Sequence, residues 1–310
     1  MSSSSVRPYL WMVSGCGCFA VMSVLAHAAG ERTNWQTVAF FRSFLVLVFV
    51  GLFSVSAGVK LAFLRPRQLW LRSLAGSFSL VTGFYALYRL PASTVTTLTS
   101  TYPIWVALLS WPMLRVLPTP RVWLGVLGGV LGVYLIQQPH GGADDFAVFV
   151  ALVSAFGTSV AMLGLHRIKG VNPNAIVVHF SAVAAVASAT AFLLFDVKPD
   201  TRPFYDPTVL GLLLGVGLTA SFGQLFLTRA FSHGDPSRVA VVGLSQVVFT
   251  LVIDVIFTGH ELTGPVVVGT MFILAPTAWV MLERRKRKPA VTPVPAPVDE
   301  PAGVPVGAGR

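Results

Sequence analysis

The chain has 310 residues, 54% of them hydrophobic and only 11% charged, with a mean hydropathy of +0.74. Globular domains average about 25% charged residues, so this composition excludes a soluble protein and points to one that lives in a lipid bilayer. The net charge of +10 would suit a nucleic-acid binder. The basic residues, however, fall in short loops and one terminal run rather than in a stripe interleaved with aromatics, so no nucleic acid is expected and the basicity reads as a topology signal.

A hydrocarbon core needs roughly 20 apolar residues per helix. Ten such runs are predicted: 9–29, 35–57, 68–88, 93–114, 121–138, 146–166, 174–195, 208–230, 237–258 and 264–282. The first mimics a secretory leader, with Arg7, an apolar stretch and Ala26-His27-Ala28, but it is long for one, and we read it as a retained span. Cys16 and Cys18 sit inside it; two thiols one residue apart make neither a disulfide framework nor a metal site, and packing is the expected role. The second run carries Arg42, an ionisable residue deep in a span and therefore a functional candidate. Its planar fork of donors would anchor a carboxylate or phosphate; a buried ion pair or a snorkelling side chain is the structural alternative.

The third run ends near Tyr85, and the fourth holds Tyr102, Trp105 and a row of hydroxyls at Thr94, Thr96, Thr97, Thr99, Ser100 and Thr101. Tyr85 and Trp105 would line a cavity for a flat or apolar substrate, and the hydroxyls either wet a path or bond to their own helix carbonyls. In the fifth run, Gly125 with Gly129 and Gly128 with Gly132 are pairs at four-residue spacing, as are Gly211 and Gly215 in the eighth; such pairs let helices approach closely. Pro103, Pro112 and Pro276 fall within spans and are expected to kink them. His179 in the seventh run could titrate near neutral pH or simply be hydrogen-bonded. Gln224 lies in the eighth run, and Gln246 and Asp254 in the ninth. Asp254 reads as a proton-coupling carboxylate or the counter-charge of a cationic substrate, against a structural partner for a basic side chain. Trp11, Trp35, Trp70, Trp111 and Trp123 fall near predicted ends, as interfacial anchors do.

The stretch 72–137 repeats without a gap at 216–281, an offset of 144 residues. Leu74, Ser77, Phe78, Ala86, Ser93, Val95, Thr119, Val122 and Gly125 meet the same residue types at Leu218, Ser221, Phe222, Ala230, Ser237, Val239, Thr263, Val266 and Gly269. The register also sets Tyr102 opposite Gln246 and Ser110 opposite Asp254. Halves of five spans must enter the membrane in opposite senses, so the duplication is expected to be inverted, with a substrate path between the halves. Lys60, Arg65, Arg67 and Arg72 flank the second connection, Arg115 and Arg121 the fourth, Arg167 and Lys169 the sixth, and Arg229 and Arg238 the eighth. With Arg7 and the run from Arg284 to Lys288 on the same side, and Asp144, Asp145, Asp196, Asp200 and Asp206 on the other, both termini are expected in the cytoplasm. Residues 289–310, rich in Pro, Val, Ala and Gly, read as a disordered cytoplasmic tail.

Two segments carry a family likeness. Tyr85-Ala86-Leu87-Tyr88-Arg89-Leu90-Pro91-Ala92-Ser93 is followed by Tyr102-Pro103-Ile104-Trp105. Its repeat, Arg229-Ala230-Phe231-Ser232-His233-Gly234-Asp235-Pro236-Ser237, is followed by Gly259-His260-Glu261-Leu262-Thr263 and Gly269. In these the chain resembles the drug/metabolite transporter superfamily, in particular its EamA type. It departs at Leu117, where the family places a glutamate, and at Val247, which stands where the first half has Pro103. The resemblance implies an all-α membrane protein of ten helices in two inverted five-helix repeats, 1–138 and 146–282. It also implies a multi-pass inner-membrane transporter, an exporter in the family's manner, that moves small metabolites such as amino acids by alternating access.

The expected binding residues are Tyr102, Gln246, Gln224, Tyr85, Trp105, Arg42 and His179, with Asp254 as the coupling group. Phosphate-loop, His-Glu-x-x-His, Cys-x-x-Cys and G-x-S-x-G patterns are absent from the sequence, so no enzyme, metal or cofactor is expected. The partners are a small-molecule substrate and the bilayer, and a homodimer is left open.

Overall fold

The computed structural model describes residues 6–90, 92–138, 144–194, 201, 205–258 and 263–282. Among the described residues there are helices and turns and no strands. The helices are α1 (Arg7–Gly30), α2 (Trp35–Ser56), α3 (Arg67–Arg89), α4 (Ala92–Thr99), α5 (Tyr102–Leu114), α6 (Pro120–Gln137), α7 (Asp145–Arg167), α8 (Pro173–Leu194), α9 (Pro207–His233), α10 (Pro236–Gly243), α11 (Ser245–Thr258) and α12 (Gly264–Leu282).

Several starts are written in the sequence. Asn34, Asp144, Asp206 and Asp235 each accept a hydrogen bond from a backbone N–H of the first turn that follows, at 2.9, 2.9, 2.8 and 3.1 Å, satisfying donors that a helix start leaves open. Asp144, Asp206 and Asp235 thus serve as caps at helix ends. Pro120, Pro207 and Pro236 occupy first helical positions, where a missing N–H costs nothing.

Eight segments among the described residues are long and apolar enough to cross a membrane, where the sequence predicts ten. The other two explain themselves. α3 is too polar, because Arg67, Arg72, Arg89 and three serines fall within it. The predicted run 93–114 is broken at Ser100-Thr101 into α4 and α5. The following Pro103 has no N–H to donate back to that turn, which is where the ladder fails. The run 237–258 breaks at Leu244 without a proline.

The exterior is apolar, with Leu193 82% and Phe257 81% exposed, as a lipid-facing surface requires. Inside, the helices pair across the chain: α1 with α9, α3 with α7, α2 with α8, α6 with α12, α3 with α8, α2 with α9, α5 with α7 and α1 with α11. Replacing each helix by the one six places on, or six back, turns each of these pairs into itself or into another member of the set. The glycine contacts obey the same exchange. A Cβ on Gly132 would lie 2.6 Å from the Gly269 carbonyl, and one on Gly125 would lie 3.5 Å from Pro276; the 144-residue shift converts one pair into the other. Other pairings break the rule, among them α7 on α9, since α1 is not closely packed on α3 among the described residues. α10 packs on α5 and α6, whereas among the described residues α4 is not closely packed on α11 or α12.

Candidate functional site

Arg42, Ser43 and Val46 on α2, Phe180 and Ser181 on α8, and Ala220 and Gln224 on α9 line a small interior cavity with room for about one water. The helical spacing sets this up: Ala220 and Gln224 are one turn apart on α9, as are Arg42 and Val46 on α2. The Arg42 Nε–H donates to the Met22 sulfur at 3.2 Å, a weak acceptor. Gln224 is buried.

Arg72 completes the cluster, and here the sequence reading is corrected. Read as a loop cation flanking the second connection, it is 1% exposed and lies inside α3. Its guanidinium stacks over the Phe180 ring at 4.2 Å, and its Nε–H is buried without an acceptor. Gly76, one turn further along α3, leaves the room: a Cβ there would strike an Arg72 terminal nitrogen and lie 2.9 Å from the Phe180 ring. The side chain therefore folds forward along α3, away from the loop. Among the described residues no carboxylate is seen to pair with either arginine; His27 and Glu31 form an ion pair elsewhere, at 3.6 Å. The buried-ion-pair alternative for Arg42 is thus not realised among those residues. Placing an arginine within a span costs about 2.5–3.5 kcal/mol, and a cation–π contact returns about 0.5–2 kcal/mol. Two arginines with one aromatic face between them remain undercompensated.

His179, next to Phe180, is spoken for. It is 2% exposed; Nδ1 is 2.7 Å from the Ser73 hydroxyl, Nε2 is 3.1 Å from the Phe63 carbonyl, and Trp70 meets the ring edge-on at 4.7 Å. It joins α8 to α3 and to the connection before α3, leaving no ring nitrogen for a ligand.

Tyr102 and Gln246 stand at the two helix breaks. The Tyr102 hydroxyl donates to the Ala240 carbonyl at 3.2 Å, and the Ser159 hydroxyl donates to the Tyr102 carbonyl at 2.8 Å, so this residue ties α5 to α10 and α7. Gln246 is half-buried just past the α10–α11 break, where the Cys16 thiol lies 3.4 Å from the Gly243 carbonyl. Cys16 packs as expected. α1 links the two regions: Cys16, Phe19 and Met22 follow one stripe, Phe19 against Gly223 and Met22 against Arg42, a run of about 9 Å at the helical rise.

Tyr85 and Trp105 are not brought to the cavity. They pack edge-on against Phe146 and Phe156 of α7, at 6.2 and 5.5 Å. Thr99 and Thr101 return their hydroxyls to the Val95 and Leu98 carbonyls. The Asp254 side chain, the turn at 259–262, the basic run 284–288 and the tail 289–310 lie outside the described residues.

The geometry defines a multi-pass helical membrane protein with a charged polar pocket between three of its helices. By sequence, the EamA-like transporter family matches residues 6–138 and 145–282, and the chain belongs to that family. It is 30% identical over 273 residues to a pseudopaline exporter of Pseudomonas aeruginosa, covering 87% of this chain and 93% of the relative. An S-adenosylmethionine uptake transporter of Rickettsia prowazekii is 24% identical over 292 residues, with 92% and 97% covered. A riboflavin transporter of Brucella anthropi is 24% identical over 232 residues, with 72% and 80% covered. A solved crystal structure superposes with a TM-score of 0.76 at 17% identity over 89% of this chain and 98% of that one, a likeness of fold.

Proposed function

We propose that the protein is a secondary transporter that exports small organic metabolites across the inner membrane by alternating access between two inverted halves, 1–138 and 146–282. In this reading α3 and the broken pair α4–α5 also cross the membrane, which gives ten spans with both termini cytoplasmic. The observation that carries it is the exchange pattern of helix pairing among the most closely packed helices, together with its failure at α10, which packs on α5 and α6 without a counterpart at α4. An inverted duplication supplies two states related by the exchange, and an unsymmetrical one is what a carrier adopts at rest. With α10 closed on α5, where Arg115, Arg229 and Arg238 mark the cytoplasmic end, and α4 parted from α11, the path opens to the opposite side. Tyr102 and Gln246 sit at the breaks that would flex.

Asp254 is assigned proton coupling from its place in the ninth span and its alignment with Ser110. Counterflow in liposomes tests the whole reading, with amino acids, nucleosides and organic cations offered as pooled labelled metabolites. Saturable, trans-stimulated exchange of one pool is expected. A flux without trans-stimulation would mean a channel, and chemical conversion of the label would mean an enzyme. Dependence on a pH gradient that survives Asp254→Asn would remove that residue from the mechanism.

A further inference from the structure

We propose that Arg42 and Arg72 form the binding subsite for an oxyanion, a carboxylate or phosphate carried by the transported metabolite, with the Gln224 amide as a neutral third contact. The assignment rests on the transporter reading and narrows its cargo to metabolites with an acidic group.

Four observations converge on it. Arg72 is buried to 1% exposure with its Nε–H unmatched. Arg42 spends its Nε–H on a thioether and lines the cavity. Gln224 is buried and stands at the cavity wall. Phe180 serves both arginines, as a wall of the cavity and as the face on which Arg72 stacks.

Two like charges held together in an apolar interior without a carboxylate partner among the described residues are unfavourable in the empty protein. They become favourable when an anion sits between them. Guanidinium groups suit the task, since their planar forks bind carboxylate or phosphate oxygens in pairs. Gly76 holds Arg72 in position by leaving space for its terminal nitrogen. The cavity takes about one water in this state, so the anion enters when α2, α8 and α9 part, which couples binding to the conformational cycle.

The test uses the full chain in detergent, with thermal unfolding followed in the presence of succinate, inorganic phosphate or putrescine at constant ionic strength. Saturable stabilisation by succinate or phosphate and none by putrescine is expected, and the stronger anion identifies the group bound. Arg72→Gln and Arg42→Gln should each weaken the anion effect at least tenfold, with Arg72→Lys intermediate. Gly76→Ala, which keeps both arginines but displaces one, should weaken it as well.

In the anion-free protein Arg72→Gln should raise Tm, since it removes an uncompensated charge; a structural ion-pair member would instead lower it. Equal anion stabilisation in Arg72→Gln, or no stabilisation of the parent protein by either anion, would overturn the proposal. Counterflow of a neutral or cationic metabolite that persists in Arg72→Gln would leave the carrier standing while the anion subsite falls.

Discussion

His179 and Arg72 are buried within a turn of the same aromatic ring, yet they do opposite things. His179 uses both ring nitrogens inside the protein, at 2.7 Å from Ser73 and 3.1 Å from the Phe63 carbonyl, whereas the Arg72 Nε–H has no acceptor. Replacing His179 with Phe keeps the ring and strands a hydroxyl and a carbonyl, a loss of about 1–3 kcal/mol for each group left unsatisfied. Thermal unfolding in detergent should show a clearly lowered Tm, while anion binding to the protein that remains folded stays close to the parent's; a Tm equal to the parent's would mean the two bonds are dispensable. Sequence reading singled out Arg42, Gln224 and His179, because a polar residue amid apolar neighbours is conspicuous. It places Arg72 with Arg65 and Arg67 as a loop cation, although the residue lies inside the predicted run 68–88 and is buried within α3. Charge counting along the chain cannot tell a side chain that turns back to the surface from one that Gly76 lets fold inward.

Among the elements, helix limits were legible and helix breaks were not. The run 264–282 reappears as α12 and 35–57 as α2 with one residue fewer, because apolar length sets both and the Asn34 cap fixes the start of α2. The interruptions at Ser100-Thr101 and Leu244 stand in stretches that read as continuous spans. Pro103 announces the first as a kink, but no local residue announces the second, which rests on packing around Gly243, where a Cβ would strike the Tyr102 hydroxyl and lie 2.8 Å from the Met12 methyl. The four-residue glycine pairs divide likewise. Gly132 meets a backbone carbonyl of α12, which cannot yield, whereas a Cβ on Gly211 meets nothing within 4 Å. Gly132→Ala should therefore destabilise by about 1–3 kcal/mol through overpacking. Gly211→Ala should be neutral or stabilise by about 0.5–1 kcal/mol through helix propensity. Unfolding midpoints of the two variants that moved in the same direction would refute this division.

At the scale of the whole molecule the question is whether the unsymmetrical closure is one state of a cycle. Reporters fused after residues 62 and 142 should show opposite sidedness; the same sidedness would break the ten-span topology on which an inverted pair of halves depends. The closed end itself offers the sharper test. The Ser110 and Ser237 hydroxyls lie 3.1 Å apart and join α5 to α10, the contact whose exchange partner, α4 against α11, is not closely packed among the described residues. If the halves rock, this contact must open once in every turnover, and holding it shut must stop flux without unfolding the protein. Cysteines at Ser110 and Ser237, in a chain whose Cys16 and Cys18 are replaced by alanine, place two thiols within reach of a short bis-thiol reagent. Cross-linked protein in liposomes should lose counterflow in proportion to the fraction linked. It should still bind substrate from the side that α4 leaves open, because that half of the path is untouched. A cleavable linker should return the flux on reduction. Full counterflow through fully linked protein would mean that α5 and α10 never separate, and the two-state reading of the asymmetry would have to be abandoned, whatever the cargo.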